Sequence, residues 1–209
     1  MDFSDKQLQI IQTAEKLFAE RGFDGTSVRD IADEANVNVA MISYYFGSKE
    51  KLMEALFELR VGAVQSRVEG LLKDDTISPI EKVNMLIDEH IERTIETQCF
   101  SKIMLGVQVT NKNPAVLKVA NDIKIRTAKV VNELIKDGQK KGIFKKKVDV
   151  ILMLNTMVGT TNQSMISQQY YREFNNQLDM PDAAFKTQFK RKLSIHIKTL
   201  FKAILTNEA

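Results

Sequence analysis

Apolar residues recur along this chain at spacings of three and four, the period of an α-helix with one buried face. Leu8, Ile11, Ala14, Leu17 and Phe18 mark a first helix over residues 5–21, ended by Gly22. Thr26 and Ser27 can cap a short second helix, because a hydroxyl there accepts a hydrogen bond from an otherwise unpaired backbone N–H. Ile31, Ala32 and Ala35 fall on one face of it. Asn36 stands where the chain must turn through a left-handed conformation, for which Asn is the best residue after Gly. Val37 plugs the turn, and Asn38 caps a third helix, Val39–Phe46, with Ile42 and Phe46 four apart on its buried side. Gly47 stops that helix, Ser48 caps the next, and Lys49 sits in its first turn.

The same period continues to the end of the chain. Leu52, Leu56 and Leu59, then Val64, Val68, Leu71 and Leu72, predict a long helix weakened by Gly62 and Gly70. Lys73 to Asp75 and Ser78-Pro79 mark a turn, and Pro79 suits the first turn of a helix through Ile80, Val83, Ile87, Ile91 and Ile95. Cys99 to Val109 reads as a short apolar helix, Asn111 to Pro114 as a turn. A long helix follows through Leu117, Ala120, Ile123, Val130, Val131, Leu134 and Ile135, and ends near Gly138 to Gly142. Lys136, Lys140 and Lys141 there oppose the helix dipole, and Lys145 to Lys147 read as a solvated connection. Val148 to about Gln169 carries Ile151, Leu152, Asn155, Val158, Gly159, Asn162, Met165 and Ile166 along one side. Past Pro181, a final helix over about 183–205 has Phe185, Phe189, Leu193, Ile197, Leu200, Phe201 and Ile204. There is no strand-like alternation, repeat or low-complexity stretch. The expectation is an all-α protein of about nine helices.

The second and third helices form a helix-turn-helix, and the third shows what it serves. Its outward positions are Ala40, Met41, Ser43, Tyr44 and, on one reading, Tyr45; no Asp or Glu occurs between Asn36 and Lys49. A helix entering the DNA major groove needs small residues for close approach and hydroxyls for phosphates or base edges. The alternative is that any three-helix knot has such a turn, with Tyr44, Tyr45 and Phe46 simply core; the pattern favours DNA binding over it.

The run from Ile11 to Leu52 resembles the N-terminal domain of the TetR family of transcriptional repressors. The resemblance is carried by Ile11, Ala14, Leu17–Phe18, Gly22–Phe23, Gly25–Thr26–Ser27, Asp30–Ile31–Ala32, Ala35, Val37, Tyr44–Tyr45–Phe46 and Ser48–Lys49–Glu50–Lys51–Leu52, and covers about a quarter of the chain. The chain departs from the family at Asn36 and Ala40, commonly Gly, at Asn38, commonly Ser, and at Ile42–Ser43, commonly Leu-Tyr. Asn36 and Asn38 are physically equivalent replacements; Ala40 and Ser43 are not. The resemblance implies a three-helix DNA-binding domain, assigned to residues 1–50, and a helical effector-binding and dimerisation domain, assigned to 51–209. It also implies a homodimer formed through the last two helices, over 148–206.

Candidate DNA contacts are Ser27, Arg29, Asn38, Val39, Met41, Ser43, Tyr44, Tyr45 and Lys49. Arg29, Tyr44 and Lys49 are placed on phosphates, and Asn38, Met41 and Ser43 on bases or the groove floor. Tyr45 does either or stays buried. The middle helices supply candidate effector contacts: Met85, Phe100, Met104, Met153, Met157 and Thr161, a soft apolar set with a few polar handles. Plain core packing is the commoner use of any one of them. The dimer candidates are Val158, Met165, Phe189, Leu193, Ile197, Leu200 and Ile204.

Charge qualifies this picture. The chain has a net charge of only +3, and residues 1–60 carry seven bases against eleven acids, a net charge of −4. That is unfavourable for a phosphate-binding domain taken as a whole. DNA binding then requires the acids to face away from the acid-free segment, and affinity to come from pairing two reading heads. A single cysteine, Cys99, excludes an intramolecular disulfide and fits a reducing cytoplasm. The polar N-terminus does not read as a signal peptide, and no apolar run approaches the ~20 residues of a membrane helix. His90 and His196 lie on different helices without a metal-ligand pattern, so each reads as a satisfied or exposed histidine; no metal, cofactor or catalytic constellation is expected.

The sequence thus predicts a cytoplasmic, homodimeric repressor that binds a (pseudo)palindromic double-stranded operator and answers to an unknown small-molecule effector. The rival class is an all-α enzyme or partner-binding protein with a vestigial helix-turn-helix, and the acidic N-terminal region is its support.

Overall fold

A computed structural model describes residues 3–96, 98–109 and 113–207. Among these residues there are ten helices and no strand: α1 Asp5–Arg21, α2 Val28–Glu34, α3 Val39–Phe46, α4 Lys49–Lys73, α5 Pro79–Glu96, α6 Gln98–Val109, α7 Pro114–Lys140, α8 Val150–Ile166, α9 Gln168–Phe174 and α10 Asp182–Leu205. The turn expected at Asn111 to Pro114 lies, apart from its last two residues, outside the described residues. The extra helix beyond the nine expected comes from a break at Ser167. Its hydroxyl donates back to the Gln163 carbonyl at 2.7 Å, and its backbone leaves helical values at φ −98°, ψ 23°. Such back-bonding bends a helix, and α9 starts afresh beyond it.

The chain packs as two units. The first holds residues 1–67 and 98–127, the second 68–97 and 128–209. This division by packing differs from a simple cut at residue 50, because α6 and the first half of α7 belong with α1–α3, and because residues of α4 fall in both units.

The core of the first unit is built from the periodic positions that predicted its helices: Ile10, Ile11, Ala14, Leu17, Phe18, Ile31, Ala32, Ala35 and Ile42 from α1–α3, with Leu52, Met53, Leu56 and Phe57 from α4. Ile103, Val107, Val116, Ala120 and Ile123 close it from α6 and α7. Three polar links tie α4 to its surroundings. Arg60 makes a two-pronged ion pair with the buried Glu15 of α1, with Nε donating to Oε1 at 2.9 Å. Arg126 of α7 grips Glu58 in the same way. Asn113 donates to Glu50 at 3.2 Å.

In the second unit α10 packs along α5, and α8 packs on both. Phe185, Phe189, Leu193, Ile197, Phe201 and Leu205 run down the buried side of α10. Asp88 of α5 accepts from Ser194 Oγ at 2.6 Å and from Lys198 Nζ at 2.5 Å, and Glu92 pairs with Lys190. α9 is held by rings: Tyr171 lies edge-on to Phe189 at 4.7 Å, while the Arg172 guanidinium sits 3.9 Å over Phe185. Gly138 is required by a close approach, since a Cβ there would stand 2.2 Å from the buried Phe144 ring.

Candidate nucleic-acid interface

The local chemistry of α2 and α3 follows from their caps. Ser27 is the N-cap of α2: the Asp30 N–H donates to its hydroxyl at 3.1 Å, and its own N–H donates to the Asp30 carboxylate at 2.7 Å. Thr26 does different work. It is 1% exposed, and its hydroxyl donates to the carbonyl of Gly22 at 2.9 Å, which holds the loop under α1. Gly25 allows that loop to close, because a Cβ would come within 2.3 Å of the Arg21 carbonyl oxygen. Asn36 takes φ 50°, the left-handed turn expected of it. Asn38 caps α3 by accepting from the Ala40 N–H at 2.8 Å, and Gly47 ends the helix at φ 79°.

These caps present α3 with Ile42 inward, at 1% exposure, and Asn38, Val39, Ala40, Ser43 and Tyr44 outward. Tyr44 is 83% exposed, so it is no core residue. Met41 is half-buried. Tyr45 is half-buried too and packs against the core, its ring 5.1 Å from Tyr44 and 6.3 Å from Phe46. Arg29 is exposed on α2.

Lys49 needs a correction. Its ammonium is not held out for a phosphate: it donates to the carbonyls of Phe23 at 2.8 Å and Thr26 at 2.9 Å, and lies 4.2 Å from the centre of the Phe23 ring. It braces the turn before α2 from behind. Hydrogen bonds from charged donors contribute about 1.5–3 kcal/mol each. Lys49→Met is therefore expected to destabilise the protein by about 2 kcal/mol. Urea unfolding followed by circular dichroism measures this. Unchanged stability with a shallower salt dependence of DNA binding would restore the phosphate role.

Several acids of this region are held by named partners, which fixes where they point but leaves the net charge of −4 over residues 1–60 unchanged. Glu15 pairs with Arg60, Glu54 with Lys51 and Glu58 with Arg126. Lys16 donates to Glu34 at 2.9 Å, and this bond and the lysine charge hold the Glu34 carboxyl below its usual range. Hydrogen bonds from Ser27 do the same for Asp30.

The effector candidates divide between the two units. Phe100 and Met104 pack on the first core, Phe100 edge-on to Phe57 at 5.7 Å. Met85, Met153, Met157 and Thr161 belong to the second. Thr161 is fully buried, with its hydroxyl donating to the Met157 carbonyl at 2.8 Å. His90 is neither satisfied nor exposed as expected: its Nε2 is enclosed and has no hydrogen-bond partner. Burial, with the nearby Arg93 charge, pushes its pKa down to about 4. Among the described residues no group of three metal-ligating side chains gathers, and no helix is long and apolar enough to cross a membrane.

Three dimer candidates prove to be core: Phe189, Leu193 and Ile197 are 5%, 6% and 0% exposed. Leu200, Ile204 and Met165 are half-buried. α8 instead shows an exposed apolar face of Ile151, Leu152, Val158 and Ile166, and Ile195 is exposed on α10. One sequence signal marks this face. α8 has no charged residue from Val150 to Ile166, so even its solvent side is uncharged.

A capped helix-turn-helix with an uncharged, exposed second helix, followed by an all-helical second unit, defines a DNA-binding transcriptional regulator. Comparison with known proteins gives the family. Residues 10–56 match the model of bacterial regulatory proteins of the tetR family, and residues 57–180 match that of the YsiA-like protein C-terminal region. The chain belongs to the TetR family. It is 25% identical over 160 residues to the fatty acid metabolism regulator protein of Bacillus subtilis, covering 77% of this chain and 81% of that one. It is 27% identical over 167 residues to the transcriptional repressor KstR2 of Mycolicibacterium smegmatis, covering 78% of each. Among solved structures it resembles the fatty acid degradation regulator FadR from Bacillus halodurans, with a TM-score of 0.74 over 95% of this chain and 97% of that one, at 19% identity. A second is FadR from Bacillus subtilis in complex with stearoyl-CoA, with a TM-score of 0.65 over 90% and 97%, at 23% identity.

Proposed function

We propose that this chain is a homodimeric repressor that reads a (pseudo)palindromic operator with two copies of α3 and lets go when an effector enters the second unit. It acts in the cytoplasm and as a regulator rather than an enzyme. The observation that carries the reading is the face of α3: Asn38, Val39, Ala40, Ser43 and Tyr44 stand exposed on a capped helix without a single charge. Small groups and hydroxyls there suit the groove floor, Tyr44 and Arg29 suit phosphates, and Ser27 and Met41 flank them. The repressor KstR2 and the stearoyl-CoA complex of FadR support the rest, since both come from relatives in sequence or fold. An effector acts by binding one conformer better than another.

The reading is tested by gel shift on DNA from beside the protein's own gene. Absence of any preference for that DNA over a random duplex would end it in favour of the vestigial alternative. Tyr44→Phe refines the test. With Tyr44 so exposed, loss of its hydroxyl is expected to leave the melting temperature unchanged and to weaken operator binding by about 0.5–1.5 kcal/mol. A lowered melting temperature with intact binding would take Tyr44 out of the interface.

A further inference from the structure

The reading helix lacks the side chains that match three of the four bases. In the major groove guanine offers two acceptors, which Arg or Lys matches best; adenine offers an acceptor and a donor to Asn or Gln; cytosine offers an amino donor to Asp or Glu. From Val39 to Phe46, α3 has none of these six residue types. The cations nearest in sequence are not on it: Lys49 is committed to the Phe23 and Thr26 carbonyls, and Arg29 stands on α2. Asn38 is the amide at the helix start, and its Oδ1 already accepts from the Ala40 N–H at 2.8 Å. A bidentate grip on adenine needs that oxygen for the N6 amino group, so capping α3 and reading adenine exclude one another.

What the first turn presents instead is methyl groups. The N-terminal residues of a recognition helix lie nearest the base edges. Val39 is 40% exposed, Ala40 is exposed beside it, and these are the first two residues of α3. Ala40 ends at its Cβ, which permits close approach of the backbone, and the branched Val39 is stiff at χ1. At about 100° per residue, Ser43 falls between these two around the axis, one turn further on, and is exposed as well. Thymine alone among the four bases carries an apolar group in the major groove, its C5 methyl. Apolar side chains laid on the polar edge of guanine or cytosine strip it of water and give nothing in return. Laid on a thymine methyl, they bury one apolar group against another.

We propose that each reading head selects its half-site by thymine C5 methyl groups seated against Val39 and Ala40, with the Ser43 hydroxyl on a polar base edge next to them. This rests on the operator-reading role of α3 given above, and it names the base and the atom that the helix recognises.

The experiment selects duplexes bound by the full chain from a random pool. The tightest is remade with uracil in place of thymine, first at every position and then singly, a change that removes the methyl and keeps the base pair. At one or two thymines per half-site, loss of the methyl is expected to weaken binding about fourfold, and uracil elsewhere to have no effect. Val39→Thr and Ala40→Ser are the matching protein variants. Each puts a hydroxyl on an exposed position of the first turn, so melting temperatures should equal that of wild type. Each variant should bring the thymine-to-uracil affinity ratio close to one at the thymine its residue touches, and leave it at about four at the other. An all-uracil duplex bound as tightly as its thymine form, or full ratios retained in both variants, would overturn the proposal. If either variant folds poorly, the all-uracil duplex with wild type decides alone. A pool from which no duplex is preferred ends the repressor reading and this proposal together, whereas a preferred duplex indifferent to uracil ends only the thymine assignment.

Discussion

Val158→Glu is expected to leave a folded chain that no longer dimerises and no longer holds its operator, although Val158 lies on α8 and not in the helix-turn-helix. Val158 is 41% exposed, so a carboxylate there meets water in the free chain and costs little stability. In a dimer formed through α8 the same carboxylate would be buried in the interface, where unpaired charge is strongly unfavourable. The loss should be large, because joining two weak reading heads multiplies affinity by about 10²–10⁴. Light scattering and a gel shift check both halves of the statement. A variant that stays dimeric and bound would move the interface away from α8. Leu193→Glu is the instructive contrast. Leu193 is buried between α10 and its neighbours, so a charge there unfolds the second unit, and loss of DNA binding in that variant says nothing about assembly.

Arg60→Met carries the second large effect. Glu15 is 5% exposed on α1, and Arg60 of α4 is its two-pronged partner. Without the guanidinium, a carboxylate is left buried and unpaired. Breaking a buried pair this way costs about 3–5 kcal/mol, and the partial exposure of Arg60 places this case near the lower end, about 3 kcal/mol. The double variant Glu15→Leu with Arg60→Met should recover most of that loss, since an apolar pair of similar volume removes the stranded charge along with its partner. Denaturant midpoints of the two singles and the double complete the cycle. A double variant as unstable as Arg60→Met alone would mean that packing, not charge, is what the pair supplies.

The helix-turn-helix was legible residue by residue, because caps and turns are local. Ser27, Asn36, Asn38, Gly47 and Ser48 each act on backbone groups two to four positions away, or on their own φ, so residue type and spacing suffice to assign them. The helical period likewise revealed which face of each helix is apolar. It missed the end of α8, where a single serine bonds back to Gln163 and starts a new helix.

What period alone could not tell is where an apolar or charged side chain goes once helices pack. Lys49 looked like a free cation in the first turn of a helix, until folding brought the Phe23 and Thr26 carbonyls, more than twenty residues away, within reach of its ammonium. Phe189, Leu193 and Ile197 have the same apolar character as Leu152 and Val158, yet the first three face α5 and its neighbours and the last two face outward. His90 sits in a helix like any other, and only the enclosure of its Nε2 makes it chemically unusual. The residues of this protein therefore specify fold class, family and the shape of the reading helix through interactions a few positions long. The enclosure of His90, the bracing by Lys49 and the choice of outward face on α8 arise from long-range packing, which no local pattern encodes.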